Sequence, residues 1–106
     1  MTTTARIADG DDWFPNPDGA GRFRVLRDHG DGGVTVEVTM PAGSVGRTHR
    51  HPAGEELVML DGEAKIGSVG LQAGDYLYTP PGATHRAEAV TDCRFVLVLP
   101  AVPEYL

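Results

Sequence analysis

The 106 residues contain a single cysteine, Cys93, so no internal disulfide can form and the core must hold without one. At this length one domain, expected over residues 1–106, can bury enough apolar surface to manage that. Basic residues are few as well. Nine Lys and Arg stand against fifteen Asp and Glu, a net charge of −6. That leaves no basic patch for a phosphate backbone, so no nucleic-acid partner is expected. No apolar run approaches the length that spans a bilayer, and no secretory leader pattern is present. No membrane association is therefore expected, and the cytoplasm is the expected compartment. Segments with helical periodicity are missing too.

What is abundant is punctuation. Fourteen glycines and eight prolines are spread along the chain between short apolar runs, the pattern of many strands joined by turns. Residues 1–12 are expected to be flexible, and Trp13-Phe14 to plug one end of a core. Strands are expected over Arg22–Arg27, Val34–Met40, Arg47–His51, Glu55–Leu60, Glu63–Val69, Tyr76–Thr79, His85–Val90 and Arg94–Leu99. Val34–Met40 alternates cleanly, apolar on one side and polar on the other, as a half-buried antiparallel strand does. Asp61-Gly62 marks a hairpin. About eight or nine short strands without a helix point to an all-β sandwich or barrel.

The chemistry is concentrated in two segments. His49 and His51 lie one residue apart, and alternate residues of a strand share a face, so both imidazoles aim at one region. Glu55 and Glu56 follow within a turn, and either carboxylate is within reach. A third histidine, His85, comes just after the turn Pro80-Pro81-Gly82. Histidine pairs at strand spacing, with a carboxylate and a further histidine, are the donors of a transition-metal site. The fourth histidine, His29, sits in a glycine-rich turn and is left outside it. Arg47 and Arg50 read as solvated charges, although Arg47 shares the parity of His49 and would suit a substrate carboxylate. Cys93 shares parity with Phe95, Leu97 and Leu99 and reads as a small buried hydrophobe.

These segments resemble the motifs of the cupin superfamily. Gly43, His49, His51, Glu55 and Gly62 stand at the spacings of its first motif, and Gly74, Pro80, Gly82 and His85 at those of its second. Ala89 occupies the place where that second motif ends in asparagine. The run His49-Arg50-His51-Pro52-Ala53-Gly54-Glu55-Glu56 is also similar to the cupin domains of zinc-binding anti-sigma factors, whose partner-binding helical domain has no counterpart in these residues. The resemblance implies a single-domain cupin jelly-roll β-barrel, also described as a double-stranded β-helix. It further implies one divalent transition metal (Fe, Mn, Ni, Cu, Co or Zn) held by His49, His51, Glu55 and His85. Counting back from Gly62 selects Glu55 over Glu56. Ala89 removes a side-chain amide that would tune the site.

By strand parity the cavity walls are expected from Val36, Val38, Met40, Leu57, Met59, Phe95 and Leu97, with Tyr76 or Tyr78 at the rim. Such a lining suits a small, mostly apolar ligand. The expected function is a metal-dependent enzyme of dioxygenase or isomerase type, with Glu55 or Tyr78 moving a proton. The alternative is a non-catalytic binding or sensing module with a structural or regulatory zinc. A cupin without metal is a third, which the complete donor set disfavours. A homodimer is expected, with the apolar run Val96–Val102 as the contact.

Overall fold

The computed structural model describes residues 12–106. Twelve strands follow one another there: β1 (Phe14–Pro15), β2 (Arg22–Asp28), β3 (Val34–Met40), β4 (His49–Arg50), β5 (Glu55–Asp61), β6 (Glu63–Ile66), β7 (Val69–Gln72), β8 (Tyr76–Thr79), β9 (Thr84–His85), β10 (Ala87–Ala89), β11 (Cys93–Leu99) and β12 (Glu104–Tyr105). Among the described residues there is no helix, and none therefore long and apolar enough to cross a membrane. The six-stranded sheet runs β1-β2-β3-β11-β5-β8, and two three-stranded sheets run β10-β6-β7 and β12-β4-β9. This is the all-β architecture that the sequence led us to expect.

The core forms because the alternating strands of the large sheet turn one face inward. β3 and β11 pair along their whole length, from Cys93 opposite Met40 to Leu99 opposite Val34. Their inward residues pack with Leu57 and Met59 of β5, and with Ala64, Ile66 and Leu71 of the small β6–β7 hairpin, in one cluster. Leu57 and Met59 are completely enclosed, which stabilises the fold by about 1.5–3 kcal/mol for each side chain.

Several elements differ from expectation, each for a local reason. Glu63–Val69 is not one strand: the chain turns at Gly67-Ser68 and returns as β7. His85–Val90 divides at Arg86, because β9 pairs with β4 whereas β10 pairs with β6 in another sheet. The Arg47–His51 strand shortens to β4, and β12 pairs along its other edge. Glu37, on the polar side of β3, is only 4% exposed. Arg24 of β2 and Arg94 of β11 close over it, with N–O distances of 2.7 and 3.2 Å. Trp13 does not plug a core end but lies beside the Arg24 guanidinium, 5.3 Å from it, while Phe14 is half exposed on β1.

The expected dimer contact also needs correction. Most of the Val96–Val102 run belongs to β11, which has β3 on one side and β5 on the other. Its backbone groups are already paired, so it offers no edge to a second chain. The edges of the large sheet are β1 and β8.

The turn before β5 sets where the first carboxylate emerges. Gly54 has φ of +79°, and a Cβ there would collide with the Thr79 carbonyl of β8. We expect Gly54→Ala to cost on the order of 2 kcal/mol, read as a lower urea midpoint with an unchanged slope.

Candidate metal centre

Three elements converge at one end of the barrel. His49 of β4 is the direct cross-strand partner of His85 of β9, and opposed residues of an antiparallel pair project to the same face. His51 keeps the parity of His49. Its backbone is tied to the preceding-histidine turn, with its N–H donating to the Ala83 carbonyl at 3.0 Å and its carbonyl accepting from Gly82 at 2.8 Å. The result is a cluster in which one ring nitrogen of His49, His51 and His85 each lies within 4.8 Å of the other two.

Glu55 opens β5 and alternates inward with Leu57 and Met59, whereas Glu56 points out. Its side chain is 3% exposed. Oε2 lies 3.2 Å from His51 Nε2, and Oε1 lies 3.2 Å from His85 Nε2. The two Nε2 atoms are themselves 3.1 Å apart. Glu56 instead accepts the Tyr76 hydroxyl on the outer face at 2.7 Å.

The protonation states follow from burial. Desolvation lowers the His49 pKa and brings that of His51 down to about 4, against the opposing pull of Glu55 on His51. Both rings are thus neutral at pH 7, the form that ligates metals. The Arg47 carbonyl, 3.0 Å from His49 Nδ1, can only accept. It therefore fixes the proton on Nδ1 and leaves Nε2 bare. His51 Nδ1 is buried without a hydrogen-bond partner, so packing, at 1% exposure, holds that side of the ring while its Nε2 faces Glu55 and His85.

The arrangement fits a cation. Between the Nε2 atoms of His51 and His85, 3.1 Å apart, at most one proton can lie, so a lone pair is left facing the cluster centre. Three imidazoles and one carboxylate are a mixed N/O set that divalent first-row metals accept.

The cluster and Glu55 open onto a cavity of about 320 Å³, at the small end of the roughly 300–1,000 Å³ usual for ligand pockets. Val36, Val38, Leu57, Phe95 and Leu97 line it as expected by parity. Met40 and Met59 belong to the core but not to its walls. Tyr78 and Tyr76 are not at the rim. Tyr78 is 58% exposed on the outer face opposite Glu56, because Leu77 takes the inward position of β8. Arg47 is exposed, with its guanidinium 5.8 Å from the Tyr105 ring and donating to the Leu106 carbonyl at 3.2 Å. Arg50 pairs with Glu104 at the surface. His29 bonds Thr35 at 2.7 Å, outside the cluster.

Two cavity residues escaped the sequence reading. Tyr105 pairs with His49 through β12, and their rings are 5.6 Å apart. Burial pushes its phenol up to about 12, and the Asp18 carboxylate adds to this. Asp18 is buried, and burial raises its pKa, partly offset by the Ala20 N–H and by His49. In sequence, Asp18-Gly19-Ala20-Gly21 reads only as a loop. No spacing marks Tyr105, since Pro100 and Pro103 mask the short strand.

A strand barrel with a buried histidine cluster facing its interior defines the class: this is a cupin. The chain belongs to the family described as the ChrR Cupin-like domain, whose profile matches residues 3–102. It is 30% identical over 83 residues to the DNA damage-repair/toleration protein DRT102 of Arabidopsis thaliana. That alignment takes in 73% of this chain and 26% of the plant protein, so the chain spans about a quarter of that relative's length. Its fold is similar to an acetylacetone dioxygenase from Acinetobacter johnsonii, with a TM-score of 0.85 at 17% identity over 100% of this chain and 80% of the other. It is also similar to a chain of the complex of Rhodobacter sphaeroides SigE with the anti-sigma ChrR, with a TM-score of 0.73 at 21% identity over 83% and 49%. At such identities these two likenesses are of fold.

Because His49 and His51 fold neutral but take up protons when exposed, the unfolded state of the metal-free protein binds more protons as pH falls below 6.5. Stability is fully present above that value and is lost progressively towards pH 4. Thermal melts of metal-free protein between pH 7.5 and 4.5 should show a falling Tm, with a shallower fall in His51→Gln.

Proposed function

We propose that this protein is a metal-dependent enzyme, of dioxygenase or isomerase type, acting on a small, mostly apolar organic molecule in the barrel. The observation that carries this reading is the opening of the histidine–glutamate cluster onto a ligand-sized apolar cavity. Four protein donors alone would satisfy a structural zinc, which has no need of such a space beside it.

His49, His51, His85 and Glu55 would hold the metal, and within residues 1–106 they would serve a single cupin domain. When bound there, a divalent metal supplies Lewis-acid polarisation of a ligand oxygen and, if redox-active, access to dioxygen. The chain supplies the rest. The apolar walls from Val36, Val38, Phe95 and Leu97 exclude water and orient the body of the ligand. Glu55, with both oxygens turned to the cluster, is the group placed to take up a proton from a bound ligand and return it at another carbon, as isomerisation requires. Tyr78 has no part in this, since it lies on the outer face. His49 and His51, kept neutral by burial, keep the cost of enclosing the site low until a cation arrives.

A second reading is favoured by the match to the ChrR Cupin-like domain: a binding or sensing module whose zinc is structural or regulatory. The two readings separate on metal content and turnover. Elemental analysis of protein grown in a mixed-metal medium should give near-stoichiometric iron, manganese, nickel, copper or cobalt, lost in His49→Ala. Aerobic and anaerobic screens with dicarbonyl and phenolic compounds should then show turnover that falls at least about a hundredfold in Glu55→Gln, the scale of a lost general base. Tightly held zinc with no turnover under any metal would overturn the enzyme reading in favour of the module.

A further inference from the structure

The cavity has a second polar pole beside the histidine cluster. Asp18 and Tyr105 both line it, along with His49. Asp18 is 5% exposed, and its Oδ1 accepts the Ala20 N–H at 2.8 Å. Among the described residues no donor reaches its Oδ2, and no partner reaches the Tyr105 hydroxyl. The carboxylate is nevertheless held in a fixed place. It sits against Gly46, where any Cβ would overlap Oδ2, and the Asp18 carbonyl accepts the Arg47 N–H at 2.7 Å. Tyr105 is held in turn by β12 pairing with β4 and by the Arg47 guanidinium.

Asp18 is enclosed and Tyr105 half-buried, and the unpaired oxygens of both stay open to whatever occupies the cavity. Polar groups so placed take a partner where one is offered. An alcohol or phenol matches such a pair, donating to the carboxylate and accepting from the tyrosine.

We propose that Asp18 and Tyr105 recognise a hydroxyl group of the ligand, so that the substrate is a small apolar-bodied alcohol or phenol whose other end reaches the histidine cluster. This rests on reading the cavity as a ligand site. The two residues are specificity determinants, distinct from the groups placed around the metal.

The test is calorimetric titration of the zinc-loaded protein, in which redox turnover is absent, with 1-phenylbutane-1,3-dione and with its 4-hydroxyphenyl analogue. One hydrogen-bonded hydroxyl should make the hydroxylated compound bind about tenfold tighter. Tyr105→Phe and Asp18→Asn should each cut that preference to less than about threefold, with zinc content unchanged. Tyr105→Phe keeps the ring that packs on His49, so it remains informative if the Asp18 variant folds poorly. Equal affinities in the unaltered protein, a preference that survives both substitutions, or binding of neither compound would overturn the proposal. Binding and metal content are read separately from turnover, so loss of the enzyme reading alone would leave a hydroxyl preference visible.

Discussion

Strand β4 is two residues long, and the rest of the site depends on what flanks it. β9 on one edge places His85 opposite His49, and β12 on the other places Tyr105 opposite the same residue. An isolated two-residue strand would have no stability, so the pairings on both edges are what keep the His-x-His segment extended. The Pro80–Ala83 turn adds two hydrogen bonds to the backbone of His51. Convergence of three imidazoles is thus a property of the ladder, which fixes where each Cβ points, rather than of the flexible side chains. The six-stranded sheet contributes only one member of the cluster, Glu55, through the inward parity of β5.

Electrostatics makes the same arrangement useful. Desolvation lowers the pKa of His49 and, more strongly, of His51, and Glu55 supplies the one carboxylate among the four. Such a site does not repel a cation. On the opposite face of β3, Glu37 shows the other way of burying a carboxylate, under two arginines. There each charge is answered within the protein. At the histidine cluster the balance is left for a bound species to complete.

The cupin barrel hosts unrelated activities, and the fold likenesses to a dioxygenase and to an anti-sigma complex illustrate it. What separates such functions is the space next to the donors and the polar groups that face it. In this chain that space is walled mainly by aliphatic residues with Phe23 and Phe95, and its polarity is confined to the cluster with Glu55 and to the Asn16–Asp18 and Tyr105 side. A second polar pole beside the cluster would orient a bifunctional ligand, whereas the metal alone would accept many.

The sequence by itself determined a good deal. Glycine and proline punctuation and the alternation in Val34–Met40 made an all-β barrel legible, because strand periodicity and turn chemistry are local. His49, His51 and His85 were legible for the same reason, since strand parity and motif spacing place them without knowledge of neighbours. The choice between Glu55 and Glu56 was not settled by parity, as Leu57–Leu60 is apolar on both faces; pairing of β5 with β11 and β8 set its inward side. Tyr78 looked suited to a rim because its strand's orientation was unknown, and that orientation comes from pairing with β5. Asp18 and Tyr105 were invisible, for one lies in a turn and the other in a two-residue strand just after two prolines. Only tertiary structure brings them to His49, because their proximity is made by pairings and hydrogen bonds between segments far apart in the chain.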